Sequence, residues 1–562
     1  PSLLPDGNQL SSALLEYFGL KEFFEEHFYP RVRDCLLPFY PDVQADRLTP
    51  RPEILLAVLD EFQLDLDAIL AFFGQAAPYG YHPVLAEFGQ RGDFLFTTNF
   101  DDCIERSGCQ FKSVLHLHGS VLKPGSIAAT DTQILKPLDP ARQIRVRGVL
   151  KQVEVLIVVG YRGEDRHDVT RLFHTVVGQR AGKPAPVLLW FQYDPNGERK
   201  LDPGAKHFVD GWPSGRSRIC YSSNPLTILH EALGGGLKVP TPTTFEWKRI
   251  LHSAIEKELQ GRCCDGVTRE SVALALLSAT FVLNASIIPG NIRRHLQVFD
   301  IHRVTSVPLT EIRAVVQWLG GEGRYWDSLQ LVWHTIATRS WRQKLYLLGD
   351  YAGTLRNFGQ RSRLGRDPIW WTASFVVALM GFVAGRFLGD SRARIRLLAK
   401  CKTSILQFIS PHGAFPVLSL LPRKAKLTLL ERVGPINADG IKTLQESFNI
   451  KIQGFGSGSF SIAFDQTTAA AHDARYRFEK QVRQSEDATQ YREKAELLLQ
   501  LYRLVGDPVS EMKALVLLAR TKQSRNERLV DTQEAQRLIR RIQWSSATRA
   551  YWVREIRHLE EG

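Results

Sequence analysis

The chain changes character near residue 235, and this change limits its fold more than any other feature. Before it, amphipathic helical segments alternate with short apolar runs bounded by glycine, proline or charge. These runs lie at 93–99, 153–160, 186–193 and 216–222. Runs that are apolar on both faces are typical of parallel strands covered by helices. We therefore predict an α/β domain with a doubly wound parallel sheet.

Beyond a stretch rich in glycine and proline at 234–243, the pattern becomes almost entirely helical. Amphipathic segments stand in pairs at 324–337 and 341–359, and again at 491–507 and 509–521. Such pairs are typical of helical-repeat arrays. The predicted regions are an α/β domain (1–235), a linker (236–243) and a mostly helical, repeat-like region (244–562) with a β-hairpin near 447–464.

Composition narrows the class of protein. The 562 residues are 44% hydrophobic and 23% charged, as in an ordinary soluble globular protein. The seven cysteines include no C-x-x-C pair, which argues against a disulfide framework or a zinc ribbon and favours the cytoplasm. The apolar segment 369–385 is at the lower limit for a membrane span, and no second span accompanies it. We predict a buried helix there and no membrane.

Positive charge is concentrated in the second half of the chain. Residues 1–240 contain 25 Lys and Arg against 29 Asp and Glu, whereas residues 241–562 contain 47 against 30. A basic half can attract an acidic partner, or it can consist of solvated faces of a helical array. Nucleic-acid binding is the less favoured interpretation, because no zinc-finger, basic-zipper or aromatic RNA-binding signature is present.

Polar residues follow several of the apolar runs. Asn99 and Gly160 end the first and second runs, and Asp194 comes directly after the third. A second polar cluster, HLHGS at 116–120, joins this group if residues 114–117 form a further strand. Ligands of open α/β sheets bind beyond the carboxyl ends of the strands. The sequence therefore predicts that these polar groups line one crevice.

The residue types in this crevice suit cleavage of a nucleotide glycosidic bond. An asparagine amide can orient a water molecule or a ribose hydroxyl, and a histidine can accept a proton from such a hydroxyl. Gly160 allows a phosphate or ribose to approach the backbone. His116 and His118 could instead ligate a metal, but a metal hydrolase needs further ligands and no recognisable set follows. We therefore predict no metal.

Taken together, three motifs resemble the NAD-binding domain of sirtuins, in the divergent form found in bacterial defence proteins. They are TTNFDDCIE (97–105), HLHGSV (116–121) and LIVVGYRGED (156–165), and the resemblance covers roughly residues 1–235. It implies a Rossmann-like fold with NAD⁺ as the substrate. It also implies two sets of site residues: catalytic Asn99, His118 and Asp101, and NAD⁺-binding Thr98, Gly119, Gly160, Tyr161 and Asp194.

The resemblance implies an NAD⁺ glycohydrolase that depletes NAD⁺ in anti-phage defence, with two departures from the sirtuin pattern. The glycine loop that wraps the NAD⁺ pyrophosphate is absent, and because the chain starts at Pro1 we expect this loop upstream. The cysteine pairs that hold zinc in protein-deacylating sirtuins are also absent between His118 and Val153. Their absence favours water over an acyl group as the nucleophile.

Two alternatives remain at this stage. One is a non-catalytic sensor of NAD⁺ or an ADP-ribose derivative, and the other is a nucleic-acid-sensing defence subunit that uses its basic half. An unregulated NAD⁺ hydrolase would kill its own cell. We therefore expect residues 244–562 to bind an activating protein from phage or host and to support a homo-oligomer.

Overall fold

In the computed structural model of the protein, the described residues are 4–36, 50–80, 82–110, 112–130, 133, 138–161, 163, 169–179, 184–194, 196–197, 199, 201, 203–232, 245–279, 288–297, 299, 307–358, 368–388, 397, 491–505, 508–544 and 546–561. They form two compact units. The first unit takes its described residues from 1–14 and 51–261, and the second from 15–36, 50, 262–397 and 491–561. The predicted linker at 236–243 and hairpin at 447–464 lie outside the described residues.

The described elements before residue 95 are all helical, and strands alternate with helices from there to residue 232. The elements are α1 (Gly7–Tyr17), a π-helical segment (Phe23–Phe28), α2 (Tyr29–Leu36), α3 (Pro52–Glu61), α4 (Leu66–Leu70), a 3-10 turn (Ala71–Gly74), α5 (His82–Gln90), β1 (Leu95–Thr97), α6 (Cys103–Arg106), β2 (Val114–His116), α7 (Pro140–Leu150), β3 (Val155–Val159), α8 (Arg171–Gly178), β4 (Val187–Tyr193), α9 (Pro203–Asp210), β5 (Ser217–Ser222) and α10 (Pro225–Ala232).

All strand pairings in the described chain are parallel. β1 pairs with β2, and β3, β4 and β5 form a second sheet in that order. Phe96 and Leu115 of the first sheet pack against the same buried core as Leu156, Leu188 and Trp190 of the second. The predicted α/β layout is confirmed in this coarser sense: small parallel sheets share a core with helices.

One face of β3 is less covered than its sequence predicts. Side chains alternate along the strand, so Leu156 is 9% exposed whereas Val155 is 49% and Ile157 is 40% exposed. The prediction that helices cover both faces is wrong here. β4 is the one strand that pairs with β3 among the described residues, so the opposite edge of β3 receives no cover from a neighbouring strand.

The apolar spacing of residues 52–74, which is near 3.6, predicts one long helix, and this prediction is wrong. Gln63 has a φ of 60°, which an α-helix does not tolerate. Asp65 then begins a new helix, because its carboxylate accepts hydrogen bonds from the N–H groups of Asp67 (3.0 Å) and Ala68 (3.2 Å). The stretch is therefore divided into α3, α4 and a 3-10 turn.

All described elements after residue 244 are helical. They are α11 (Trp247–Arg262), a 3-10 turn (Cys263–Asp265), α12 (Arg269–Ala279), α13 (Gly290–Gln297), α14 (Leu309–Gly321), α15 (Tyr325–Thr338), α16 (Trp341–Phe358), α17 (Pro368–Phe387), α18 (Arg492–Val505), α19 (Pro508–Arg520), α20 (Arg525–Arg541) and α21 (Ser546–Glu561). The four helices predicted from apolar spacing correspond to α15, α16, α18 and α19 and are confirmed.

The apolar segment 369–385 lies within α17. One face packs against α16, where the Ser374 hydroxyl donates to the Ala352 carbonyl at 2.7 Å. Met380 is 66% exposed and Phe387 is 85% exposed, so the prediction of a buried helix is wrong for that face. Within the described ranges, no helix combines the length and apolarity that a bilayer span requires.

We expect Arg313→Ala to destabilise the helical unit strongly. Arg313 of α14 contacts Asp350 of α16 at 2.7 Å, and the two side chains are only 11% and 13% exposed. Removing the guanidinium leaves a poorly solvated carboxylate without its counterion, which costs about 3–5 kcal/mol of unfolding free energy. Hydrogen exchange in α14 and α16 measures this loss locally.

The matched control for Arg313→Ala is Arg492→Ala. Arg492 forms exposed ion pairs with Glu496 at 3.2 Å and with Glu527 at 3.7 Å, and the three side chains are 46–48% exposed. Exposed pairs of this spacing contribute about 0.3–0.5 kcal/mol. Equal loss of protection in the two variants would show that burial does not set the strength of the Arg313 pair.

Candidate functional site

The ends of β1 and β2 and the loops that follow them are joined by hydrogen bonds. Three contacts connect them: Leu117 N–H to the Thr97 carbonyl (2.8 Å), Val121 N–H to the Phe100 carbonyl (3.0 Å) and His116 Nδ1 to the Asn99 carbonyl (2.8 Å). The parallel register pairs Thr97 with His116. Asn99 and His118 therefore lie on neighbouring loops at the carboxyl ends of β1 and β2.

The first of these loops, residues 98–102, presents Asn99 to solvent. The Asn99 side chain is exposed, and its backbone N–H donates to Thr97 Oγ1 at 3.0 Å. Thr98 is half-buried. Asp101 is buried, and its carboxylate accepts the N–H of Cys103 at 3.1 Å where α6 begins. Asp101 thus fixes the end of the loop, while the Asn99 amide is accessible to a ligand.

The second loop, residues 117–128, is held more tightly. His118, Gly119 and Ser120 are all buried. Within the loop, the Ala128 N–H donates to the His118 carbonyl at 2.7 Å and the Ser120 N–H donates to Ser126 Oγ at 3.1 Å. From α7, Arg142 donates to the carbonyls of Leu117 (3.2 Å) and Ser126 (3.3 Å). Its backbone therefore holds His118 in one position.

Gly119 is the residue that allows this loop to close. Its φ is +94°, and a Cβ atom at this position would lie 2.0 Å from the Ser126 carbonyl oxygen. A side chain there is excluded both by the backbone conformation and by the space. The predicted role of Gly119 in NAD⁺ binding remains a prediction, and the structure adds a packing requirement to it.

The remaining predicted residues follow the second sheet. Gly160 comes directly after β3, is exposed and has a φ of +67°, with no atom within 4 Å of a Cβ built on it. Tyr161 packs against the core that contains Leu117, and its ring lies 6.0 Å from that of Trp190. The backbone beside Gly160 is therefore open to a ligand, whereas the Tyr161 ring belongs to the core.

Asp194 comes directly after β4 and is engaged with its own loop. Its backbone N–H donates to the Ser222 carbonyl at 2.9 Å, and its carboxylate accepts the Arg199 N–H at 2.9 Å. These bonds organise the loop after β4 and the end of β5. The contact of Asp194 with NAD⁺ remains a prediction.

His116 is tied to both sides of the first loop rather than being available as a metal ligand. Nδ1 contacts the Asn99 carbonyl, and Nε2 contacts Glu105 Oε1 at 2.7 Å. Burial lowers the pKa of His116, but the hydrogen bonds to Glu105 and Asn99, with the charges of Glu105 and Asp101, more than offset this and raise the pKa above 6.5. Because both ring nitrogens are occupied, the H-x-H metal alternative loses support.

A second cluster, formed by His82, Asp101 and Cys103, has ligand atoms within 4.8 Å of one another. Burial lowers the pKa of His82, and burial together with the Asp101 charge raises the pKa of the Cys103 thiol to about 12. Arg106 Nη2 also lies 3.6 Å from Cys103 Sγ, which places a positive charge beside the cluster. The cluster is not evidence of a metal, and the predicted absence of one remains a prediction.

Two supporting residues of this region were not predicted from the sequence. Glu105 is 8% exposed and supports His116, and Arg142 of α7 supports the His118 loop. Glu105 had one available signal, because it belongs to the TTNFDDCIE motif (97–105). Arg142 had none, because its partners lie 16 and 25 residues earlier in the chain.

Comparisons of the chain with protein-family models, with curated proteins and with solved structures found no match.

Proposed function

We propose that the protein is an NAD⁺ glycohydrolase whose site is formed by the loops after β1 and β2. The observation that carries this proposal is the set of three hydrogen bonds that hold the Asn99 loop beside the His118 loop. These hydrogen bonds connect the loops that carry Asn99 and His118, the two residues to which the sirtuin resemblance assigns the main catalytic roles. In this proposal the exposed backbone at Gly160 contributes to the same NAD⁺ site.

The proposed reaction breaks the bond between ribose C1′ and the nicotinamide nitrogen. A water oxygen forms the new bond to C1′, and nicotinamide, ADP-ribose and one proton are released. Asn99 orients the water and the nicotinamide ribose, and His118 accepts a proton from a ribose hydroxyl as positive charge develops on the ring. The part of Asp101 is to keep the Asn99 loop in place through its bond to Cys103.

We further propose that the two small sheets belong to one doubly wound, sirtuin-like sheet. Their shared core supports this. β1 and β3 each pair on one side among the described residues, and the exposed Val155 and Ile157 line β3.

The test is incubation of the purified full-length protein with NAD⁺, with and without lysate from phage-infected cells. We expect nicotinamide and ADP-ribose in equal amounts, with the rate unchanged by a metal chelator. We also expect no NAD⁺-dependent loss of acetyl groups from acetyl-lysine peptides. Binding of NAD⁺ without turnover under all conditions would favour the sensor alternative, and loss of turnover with the chelator would favour a metal enzyme.

Control by the helical unit is a separate proposal. We propose that residues 244–562 bind an activating protein and shift a homo-oligomer between inactive and active states. To move the active fraction from about 1% to 99%, the partner must favour the active state by about 5.5 kcal/mol. Light scattering of the full chain with and without infected-cell lysate tests this, because an unchanged mass alongside raised activity would contradict it.

A further inference from the structure

The contact between His116 and Glu105 requires one more proton than a neutral histidine and an ionised carboxylate together contain. The Asn99 carbonyl can only accept a hydrogen bond, so His116 Nδ1 carries a hydrogen. The contact of Nε2 with Glu105 Oε1 at 2.7 Å needs a second hydrogen, on Nε2 or on the carboxyl group. The pair therefore binds a shared proton when the loop has the observed geometry.

The surroundings favour retention of that proton. Glu105 is 8% exposed, and its Oε2 has no hydrogen-bond partner in the part of the chain that the structure describes. Asp101 on the adjacent loop adds negative charge near His116, and the Cys109 thiol lies near Glu105. An ionised Glu105 beside a neutral His116 would leave a buried negative charge with little compensation.

Loss of the proton has a direct consequence for the Asn99 loop. A neutral imidazole carries a hydrogen on one nitrogen only, so it can donate to the Asn99 carbonyl or to Glu105 but not to both. The remaining acceptor then faces a nitrogen lone pair at hydrogen-bond distance, which is repulsive. Either the contact with Asn99 weakens or α6 shifts, and in both cases the loop that carries Asn99 loses an anchor.

We propose that His116 and Glu105 are positioning residues that hold the Asn99 loop in its reactive geometry through the proton they share. This inference rests on the proposed NAD⁺ hydrolysis for its effect on turnover, but the anchoring itself does not depend on that reaction. The anchoring by the pair is complete below about pH 6.5, the ordinary pKa of histidine. It is lost as the pH rises through the raised pKa of His116 in the folded protein.

The test compares the pH dependence of kcat for NAD⁺ cleavage in the wild type and in Glu105→Gln. A glutamine amide can donate to His116 Nε2 while Nδ1–H still donates to Asn99, so neutral His116 satisfies both contacts. We expect the decrease of wild-type kcat at alkaline pH to disappear in Glu105→Gln. His116→Ala should lower kcat about tenfold with KM little changed, and His116→Asn should recover most of this because its amide can reach the Asn99 carbonyl.

The matched control is Glu311→Gln, which alters a second His–Glu pair in the helical unit, His295 with Glu311 at 2.6 Å. We expect it to leave the pH profile unchanged. An alkaline decrease that persists in Glu105→Gln would overturn the proposal. So would recovery in His116→Asn no better than in His116→Ala.

A measurement without substrate separates this inference from the proposed function. In the isotope-labelled full-length protein, the His116 ring signals should titrate above pH 6.5, and the Asn99 backbone amide signal should shift with the same midpoint. A His116 titration at or below pH 6.5, or an Asn99 signal that does not follow it, would contradict the anchoring even if NAD⁺ is cleaved. The shared midpoint without any turnover would support the anchoring and contradict the proposed function alone.

Discussion

His118→Ala is expected to lower the rate of NAD⁺ cleavage about a hundredfold or more, and Asn99→Ala should have an effect of similar size. Loss of a general base costs about 10²–10⁴ in rate, and loss of substrate positioning can cost about 10². A hundredfold decrease corresponds to about 2.7 kcal/mol in the activation barrier. Release of nicotinamide, measured on the activated full-length protein, gives kcat and KM for each variant.

The control for His118→Ala is the same substitution at His207. His207 lies on the exposed surface of α9 and is not part of the proposed site. We expect His207→Ala to retain the wild-type rate. A His118→Ala protein that folds normally and cleaves NAD⁺ within a few-fold of wild type would show that His118 is not the base.

Gly119→Ala should have the largest effect on the stability of the first unit. The added methyl group would lie 2.0 Å from the Ser126 carbonyl oxygen, and the backbone has a φ of +94°. Left-handed backbone strain costs about 1–2 kcal/mol in a residue with a Cβ, and forced overpacking costs about 1–3 kcal/mol. We expect a loss of about 2–5 kcal/mol, measured by hydrogen exchange in residues 112–128.

Gly160→Ala is the matched comparison. Gly160 also has a positive φ, +67°, but no atom lies within 4 Å of the added methyl group. The expected cost in stability is therefore limited to about 1–2 kcal/mol. If NAD⁺ approaches this backbone as proposed, affinity for NAD⁺ should fall about tenfold in Gly160→Ala. Equal destabilisation by the two substitutions would contradict the steric argument at Gly119.

Four of the strands and the helices α15, α16, α18 and α19 could be predicted from the sequence because their signals are local. Short apolar runs became β1, β3, β4 and β5, and the polar residues after the first run do follow a strand end. The division of 52–74 was also readable in principle, since Asp65 is a strong helix-capping residue inside an apolar stretch. Overall apolar spacing outweighed this signal in the prediction.

The supports of the candidate site could not be predicted in the same way. The partner of His116 is a carboxylate 11 residues earlier, and only the pairing of β1 with β2 brings α6 beside it. Arg142 reaches its two carbonyl partners through the packing of α7. Contacts of this kind depend on the register and on helix placement, which residue types and spacing alone do not specify.

The partly uncovered edge of β3 has a practical consequence for any measurement of oligomeric state. A strand that pairs on one side only, as β3 does among the described residues, and that has the exposed Val155 and Ile157 is a template for adding a strand from another molecule, which leads to aggregation. Association of this origin would increase with protein concentration whether or not an activating partner is present. Particle size alone therefore does not distinguish a functional assembly from adhesion between sheet edges. Only a change in particle size that accompanies a change in activity is evidence of regulation.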